Sequence, residues 1–125
     1  MMSHLRRLPD AELEVMQAIW ACEPPVSRHQ IEAILQNTHP MAMTTLLTLL
    51  TRLAERGFVT MEKIGRGNCY TPTVSREDYL AAQSGQFFKQ VCGGSMSAFA
   101  SALCHSGLTK EELSELRDLL ERDAL

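Results

Sequence analysis

The sequence predicts a mostly α-helical chain carrying one small β-hairpin, and three observations lead there. Leu46, Leu49, Leu50 and Leu53 recur at i, i+3, i+4 and i+7, the apolar face of a single helix. Gly57 follows in the position of a C-terminal cap, and two short strand-like runs then flank a Gly65-Arg66-Gly67 tip. After Ser75 the apolar residues return to helical spacing and stay there. A helix running directly into a hairpin with a basic tip is the outline of a winged helix-turn-helix. The expected organisation is a winged-helix domain over residues 1–74 and a helical dimerisation region over 75–125.

The first helix is expected from Pro9-Asp10 to about Ala21. Proline suits a first helical position, and Asp10, Glu12 and Glu14 complement the positive end of the helix dipole. Leu13, Met16, Ile19 and Trp20 form its buried stripe, with the single tryptophan as a core anchor. Glu23-Pro24-Pro25 forces a break. Ser27 with Gln30 then fits a capping box, and Val26 with Ile31 its hydrophobic staple. This second helix is expected to end before Asn37-Thr38-His39-Pro40.

The third helix spans about Ala42 to Arg56. Its far side carries Thr44, Thr45, Thr48, Thr51 and Arg52, short hydroxyls and a guanidinium with no core to fill. Strands are expected over Phe58–Lys63 and Asn68–Thr71, with Pro72 restricting the second to an edge or an end. A lone hairpin is marginal in water, so this one must pack on the helices. Beyond it, Ser75 caps a fourth helix to about Val91, Gly93-Gly94 interrupts, and Ser95 opens a short fifth helix. Thr109 with Glu112 caps a sixth. Roughly 50 residues in three helices cannot bury all their apolar stripes alone, which favours a two-fold dimer.

Composition bounds the function. Apolar residues at 45% support a core, and no apolar run approaches the ~20 residues that span a bilayer. The stretch MMSHLRRLPD has no apolar h-region, so a secretory signal is not expected, membrane insertion is not expected, and the expected compartment is the cytoplasm. Net charge is −3, yet residues 1–75 hold seven basic and seven acidic side chains, and the deficit lies wholly in 76–125. Between 41 and 76, five basic groups (Arg52, Arg56, Lys63, Arg66, Arg76) face only Glu55 and Glu62. Such a local excess can meet phosphate, modestly, and leaves tight binding dependent on dimerisation.

Cys22, Cys69, Cys92 and Cys104 show no C-x-x-C or C-x-C spacing and read as reduced thiols, so neither a metal site nor a cofactor is expected. His4, His29, His39 and His105 form no H-E-x-x-H, and there is no nucleophile elbow or phosphate-cradling loop. The chain is not expected to be an enzyme. Winged helices also serve as protein-interaction modules without nucleic-acid contact, and the near-neutral charge of 1–75 is compatible with that alternative.

The chain resembles the penicillinase-repressor family, the BlaI/MecI/CopY group of bacterial regulators. The resemblance rests on LPDAELEVMQAIW at 8–20, TTLLTLLTRLAERGFV at 44–59, YTPTVSREDY at 70–79, FFKQVCGGSMSAF at 87–99 and LTKEELSELRDLLE at 108–121. It implies a transcriptional repressor that binds a dyad-symmetric operator as a homodimer and is released by an inducing signal. It also implies that Thr44, Thr45, Leu47, Thr48 and Arg52 face the groove, with Lys63, Arg66 and Asn68 on the wing. Thr51, on the same helix face, completes the expected DNA-binding set. Some relatives carry a basic residue where this chain has Thr44 and Leu47, which bears on operator sequence; a leucine there can still contact a thymine methyl.

Dimerisation is expected through Phe88, Met96, Phe99, Leu103, Leu113, Leu116 and Leu120. The copper-responsive branch has a C-terminal C-x-C arrangement, and none follows Cys104, so copper sensing is not expected. In the antibiotic-resistance branch a sensor-linked protease cuts a bond that aligns with Ala102–Leu103, where the residues differ from the Asn-Phe of the best-known relatives. The partners implied are operator DNA, a second copy, and a sensor protease or other inducer.

Overall fold

The computed structural model describes residues 5–123. The start of the MMSHLRRLPD stretch, His4 included, lies outside them. Six α-helices and a three-stranded sheet follow the order α1 (Asp10–Trp20), β1 (Val26–Ser27), α2 (Arg28–Thr38), α3 (Met43–Glu55), β2 (Val59–Ile64), β3 (Gly67–Pro72), α4 (Arg76–Gln86), α5 (Met96–Cys104) and α6 (Lys110–Asp123). A π-helical turn, Phe87–Val91, follows α4. Helices dominate and the hairpin is present, as the periodicities require. Contacts divide the chain into two compact units, one ending at Gln83 and the other beginning at Ser84.

The first unit is a winged helix. Pro9 precedes α1 and offers no side-chain cap, while Asp10 and Glu12 occupy its first turn. Ser27 and Gln30 close the capping box of α2 reciprocally, at 2.9 and 3.2 Å. That helix continues two residues past the expected stop, through Asn37 and Thr38: Thr38 turns its hydroxyl back to the Ile34 carbonyl. At the end of α3 the chain makes a Schellman turn. Phe58 N–H reaches the Leu53 carbonyl at 2.9 Å and Gly57 N–H the Ala54 carbonyl at 3.1 Å. Gly57 takes φ +80°, open to glycine without strain, and the flanking Leu53 and Phe58 are both buried.

The hairpin is tighter than its Gly-Arg-Gly tip suggested. Ile64 pairs with Gly67, so the loop is Gly65-Arg66 alone, with Gly65 at φ +64° as a two-residue hairpin of the II′ kind requires. Pro72 closes β3 opposite Val59, a position whose own N–H the ladder does not use; the next donor is Thr73 N–H, to the Phe58 carbonyl at 2.9 Å. The third strand was not anticipated. Val26 and Ser27 pair with Tyr70 and Cys69, which puts β3 in the centre in the order β1-β3-β2. Two residues carry no period-2 pattern, and only the partner strand makes them a strand.

The core gathers Val15, Met16 and Ile19 of α1, Ile31 and Leu35 of α2, the four leucines of α3, Val26, Phe58, Val59, Tyr70 and Tyr79. Trp20 anchors rather than fills it: the indole N–H donates to the Val74 carbonyl at 2.9 Å, and the ring lies 5.7 Å from Tyr79. Tyr79 in turn accepts the buried Leu8 N–H at 2.8 Å, and Gln83 donates to the Leu5 carbonyl at 2.9 Å. The first turns of α4 thereby belong to the winged helix. We expect Tyr79→Phe to cost about 1–3 kcal/mol, the penalty for orphaning a buried amide, measured by urea denaturation. A loss of a few tenths of a kcal/mol would mean that water replaces the phenol.

One acidic residue has a different job from the one its position suggests. Glu12 is only 2% exposed, and both of its oxygens face Arg56, Nε–Oε1 at 2.6 Å and Nη2–Oε2 at 3.4 Å. The carboxylate therefore fastens α1 to the end of α3 instead of merely complementing a helix dipole. Arg56, counted in the local basic excess from sequence, is committed to this pair.

The second unit is lightly packed. Phe99 meets Phe87 at 6.0 Å and Phe88 at 5.7 Å, and this aromatic trio joins α5 to the π turn. The expected fourth helix does not stay α-helical to Val91: Cys92 N–H bonds the Phe87 carbonyl, five residues back. Ser95 caps α5 through Ala98 N–H, and Thr109 with Glu112 forms the expected capping box of α6. No described side chain after Tyr79 is buried.

Candidate nucleic-acid interface

Leu46, Leu49, Leu50 and Leu53 pin α3 to the core. The 3.6-residue period then turns Thr44, Thr48 and Thr51 outward, with Thr45 and Arg52 on one flank and Leu47 on the other. All six are exposed, Leu47 by 39%. Leu47 looks toward the wing. Between them lies a cleft of about 350 Å³, floored by Cys69 and Tyr70 and walled by Ser27, Arg28, His29, Ile64, Arg66 and Asn68. The structure thus brings Leu47, Arg66 and Asn68 to one cleft, with Lys63 one residue from it on β2.

The start of α2 carries no local sequence signal for this surface. Ser27, Arg28 and His29 face the same cleft because β1 pairs with β3 and carries the N-terminus of α2 to the wing. The strand pairing was invisible in the sequence, and so was this placement. Arg28 lies 3.0 Å from Glu32, half-exposed and poorly aligned for a hydrogen bond. Arg52, Lys63 and Arg66 take no ion-pair partner among the described residues, so their charges face solvent undiminished. With Arg56 withdrawn by Glu12, these three supply the cationic character of the surface.

Asn68 has an internal duty as well. Burial raises the Tyr70 phenol above its ordinary range, while the Asn68 hydrogen bond and the Arg28 charge pull the other way. The phenol therefore stays neutral at physiological pH. Among the threonines, Thr48 and Thr51 donate their hydroxyl hydrogens to the carbonyls of Thr44 and Leu47, each at 3.0 Å. An exposed helix face carrying hydroxyls, an apolar side chain and Arg52, beside a wing carrying Lys63 and Arg66, suits a grooved polyanion: cations for phosphates, hydroxyls and a methyl-sized contact for base edges.

The chain matches the Penicillinase repressor family over residues 8–122. It belongs to the penicillinase repressor family. Among its relatives is the penicillinase repressor of Bacillus licheniformis, 31% identical over 121 residues that cover 96% of this chain and 94% of the relative. The solution structure of the DNA binding domain of the repressor BlaI is similar at 33% identity, with a TM-score of 0.52, covering 60% of this chain and 90% of that one. A solution structure of monomeric B. licheniformis BlaI in complex with the blaP half-operator is similar at the same identity and coverage, TM-score 0.50. Members of the family are transcriptional repressors and not enzymes. The structural resemblance to these DNA-binding domains covers 60% of this chain, and at the sequence level the resemblance to the B. licheniformis repressor covers 96% of it.

Proposed function

We propose that this protein is a transcriptional repressor that binds a dyad-symmetric operator as a homodimer and leaves it on an inducing signal. Residues 1–74 bind DNA and 75–125 hold the dimer. The observation that carries the reading is the outward face of α3, four threonines and an unpaired Arg52, set beside the cleft whose far wall carries Arg66. A related BlaI domain of the same fold was solved on half-operator DNA, which supports α3 as the helix that enters the major groove. Thr44, Thr45, Leu47, Thr48 and Thr51 meet base edges and sugar-phosphate there. Arg52, Lys63, Arg66 and Asn68 hold the backbone beside it.

The dimer is supported by what one chain leaves open. Val91, Met96 and Leu120 are 71%, 65% and 56% exposed, and Leu80, Phe87, Leu108 and Leu119 are exposed too. Among the proposed contact residues, Phe88, Phe99, Leu103, Leu113 and Leu116 remain half-buried, which a second copy would complete. Two protomers place two recognition helices on half-sites about one helical turn apart, and join two weak modules into a tight binder. This assembly works on promoters in the cytoplasm; no helix among the described residues is long and apolar enough to cross a membrane. An inducer would act on the tail. Ala102–Leu103 lies in the last turn of α5, so a sensor-linked protease would need that turn to open before cutting.

The test is fluorescence anisotropy with a labelled duplex from the protein's own upstream region, beside a scrambled duplex, across several salt concentrations. Preference for the natural duplex at two protomers per duplex is the expected result. Arg52→Ala and Arg66→Ala, each present twice in the bound dimer, should each flatten the log-affinity against log-salt slope by about 2. Equal, weak, salt-insensitive binding to both duplexes would instead favour a protein-interaction module, for which Glu55 on the outward side of α3 is the suggestive feature.

A further inference from the structure

The four threonines on the outer side of α3 are not chemically equivalent. A threonine hydroxyl has one hydrogen to donate and two lone pairs to accept with. Thr48 gives its hydrogen to the Thr44 carbonyl and Thr51 gives its own to the Leu47 carbonyl, both at 3.0 Å. Thr44 and Thr45 show no such bond, because four residues back from each lies Pro40 or Met41, ahead of the first helical residue Met43. Their hydroxyls stay free to donate. Thr48 and Thr51 are left with lone pairs alone, and both side chains are exposed.

Resting on the operator reading above, we infer that Thr48 and Thr51 act in the groove purely as hydrogen-bond acceptors and set base preference by demanding an exocyclic amine. A phosphate offers no donor, so neither hydroxyl has anything to gain from the backbone. In the major groove, adenine and cytosine present an amine, N6 and N4, whereas guanine and thymine present no hydrogen-bond donor, only acceptors and, in thymine, a methyl group. Facing a guanine or thymine, the hydroxyl would set oxygen against oxygen, or give up its helix bond. Thr44 and Thr45 are the donors suited to phosphate at the head of the helix. The helix therefore divides its hydroxyls: those at the first turn serve positioning, and those one turn later serve discrimination.

The test selects duplexes from a random pool with the full chain, then repeats the selection with Thr48→Val and Thr51→Val, which keep shape and remove the hydroxyl. The parent should select adenine or cytosine at a dyad-related pair of positions, and a valine variant should relax that restriction about three- to tenfold, the worth of one hydrogen bond. Thr48→Ser, which keeps the hydroxyl, should retain it. In the selected duplex, purine for adenine or pyrimidin-2-one for cytosine deletes the amine alone. That change should weaken the parent three- to tenfold more than it weakens the valine variant. Equal losses in both proteins, or relaxed positions that hold guanine or thymine, would overturn the inference while leaving the operator reading intact. A parent that selects no sequence at all would overturn both.

Discussion

Arg56→Ala should destabilise the winged helix by about 3 kcal/mol, near the low end of what an orphaned buried charge costs. Glu12 has almost no contact with water, and both of its carboxylate oxygens depend on the Arg56 guanidinium. Removing the guanidinium leaves a largely buried charge without its partner. Arg56 itself is 45% exposed at its side chain, so water can reach part of the vacated space, which argues for the lower end of the range. For a unit of this size each kcal/mol moves the melting temperature by about 4–8 °C, so a fall of at least ~12 °C is expected by circular dichroism. Glu12→Gln should be milder, since an amide is cheaper to bury than a carboxylate. Adding Glu12→Gln to Arg56→Ala should recover part of the loss. A single Arg56→Ala variant that melts within a degree or two of the parent would show that α1 and α3 hold together without this pair.

Leu116→Asp should yield a folded monomer whose operator affinity is lower by about 100-fold or more, because avidity between two half-sites is lost. Leu116 lies on α6 among Leu113, Leu119 and Leu120, a stripe that one chain leaves partly in water. A carboxylate there would be buried unpaired at a dimer contact but tolerated in a monomer. Light scattering reads the association state. Near-UV circular dichroism of Trp20, the single tryptophan, reports on the first unit and should be unchanged, since Trp20 packs on Val74 and Tyr79. A variant that stays dimeric and binds as tightly as the parent would remove α6 from the interface.

Much of the architecture was legible because it is locally encoded. The capping boxes at Ser27-Gln30 and Thr109-Glu112, the Schellman glycine at Gly57 and the leucine stripe of α3 each involve residues within one or two turns, and each forms as its spacing demands. The threonine face followed automatically, being whatever the leucine stripe leaves outside. The charge count was less reliable. It put Arg56 with the surface cations, although the residue that claims it lies 44 positions earlier in the chain.

The sequence by itself determined which segments are helical, the two capping boxes, the presence of the hairpin and the identity of the side chains on the outer face of α3, because all of these depend on neighbours a few residues away. Tertiary structure alone decided four things. It made Val26–Ser27 a strand, since a strand exists only by its partner. It thereby brought Ser27, Arg28 and His29 to the cleft opposite Leu47. It joined Glu12 to Arg56, and it tied the N-terminal Leu8 to Tyr79 of α4. Each is a contact between residues far apart in sequence. No periodicity encodes such a pairing, because closing the intervening chain is repaid by burial and complementary hydrogen bonding that only the assembled fold provides.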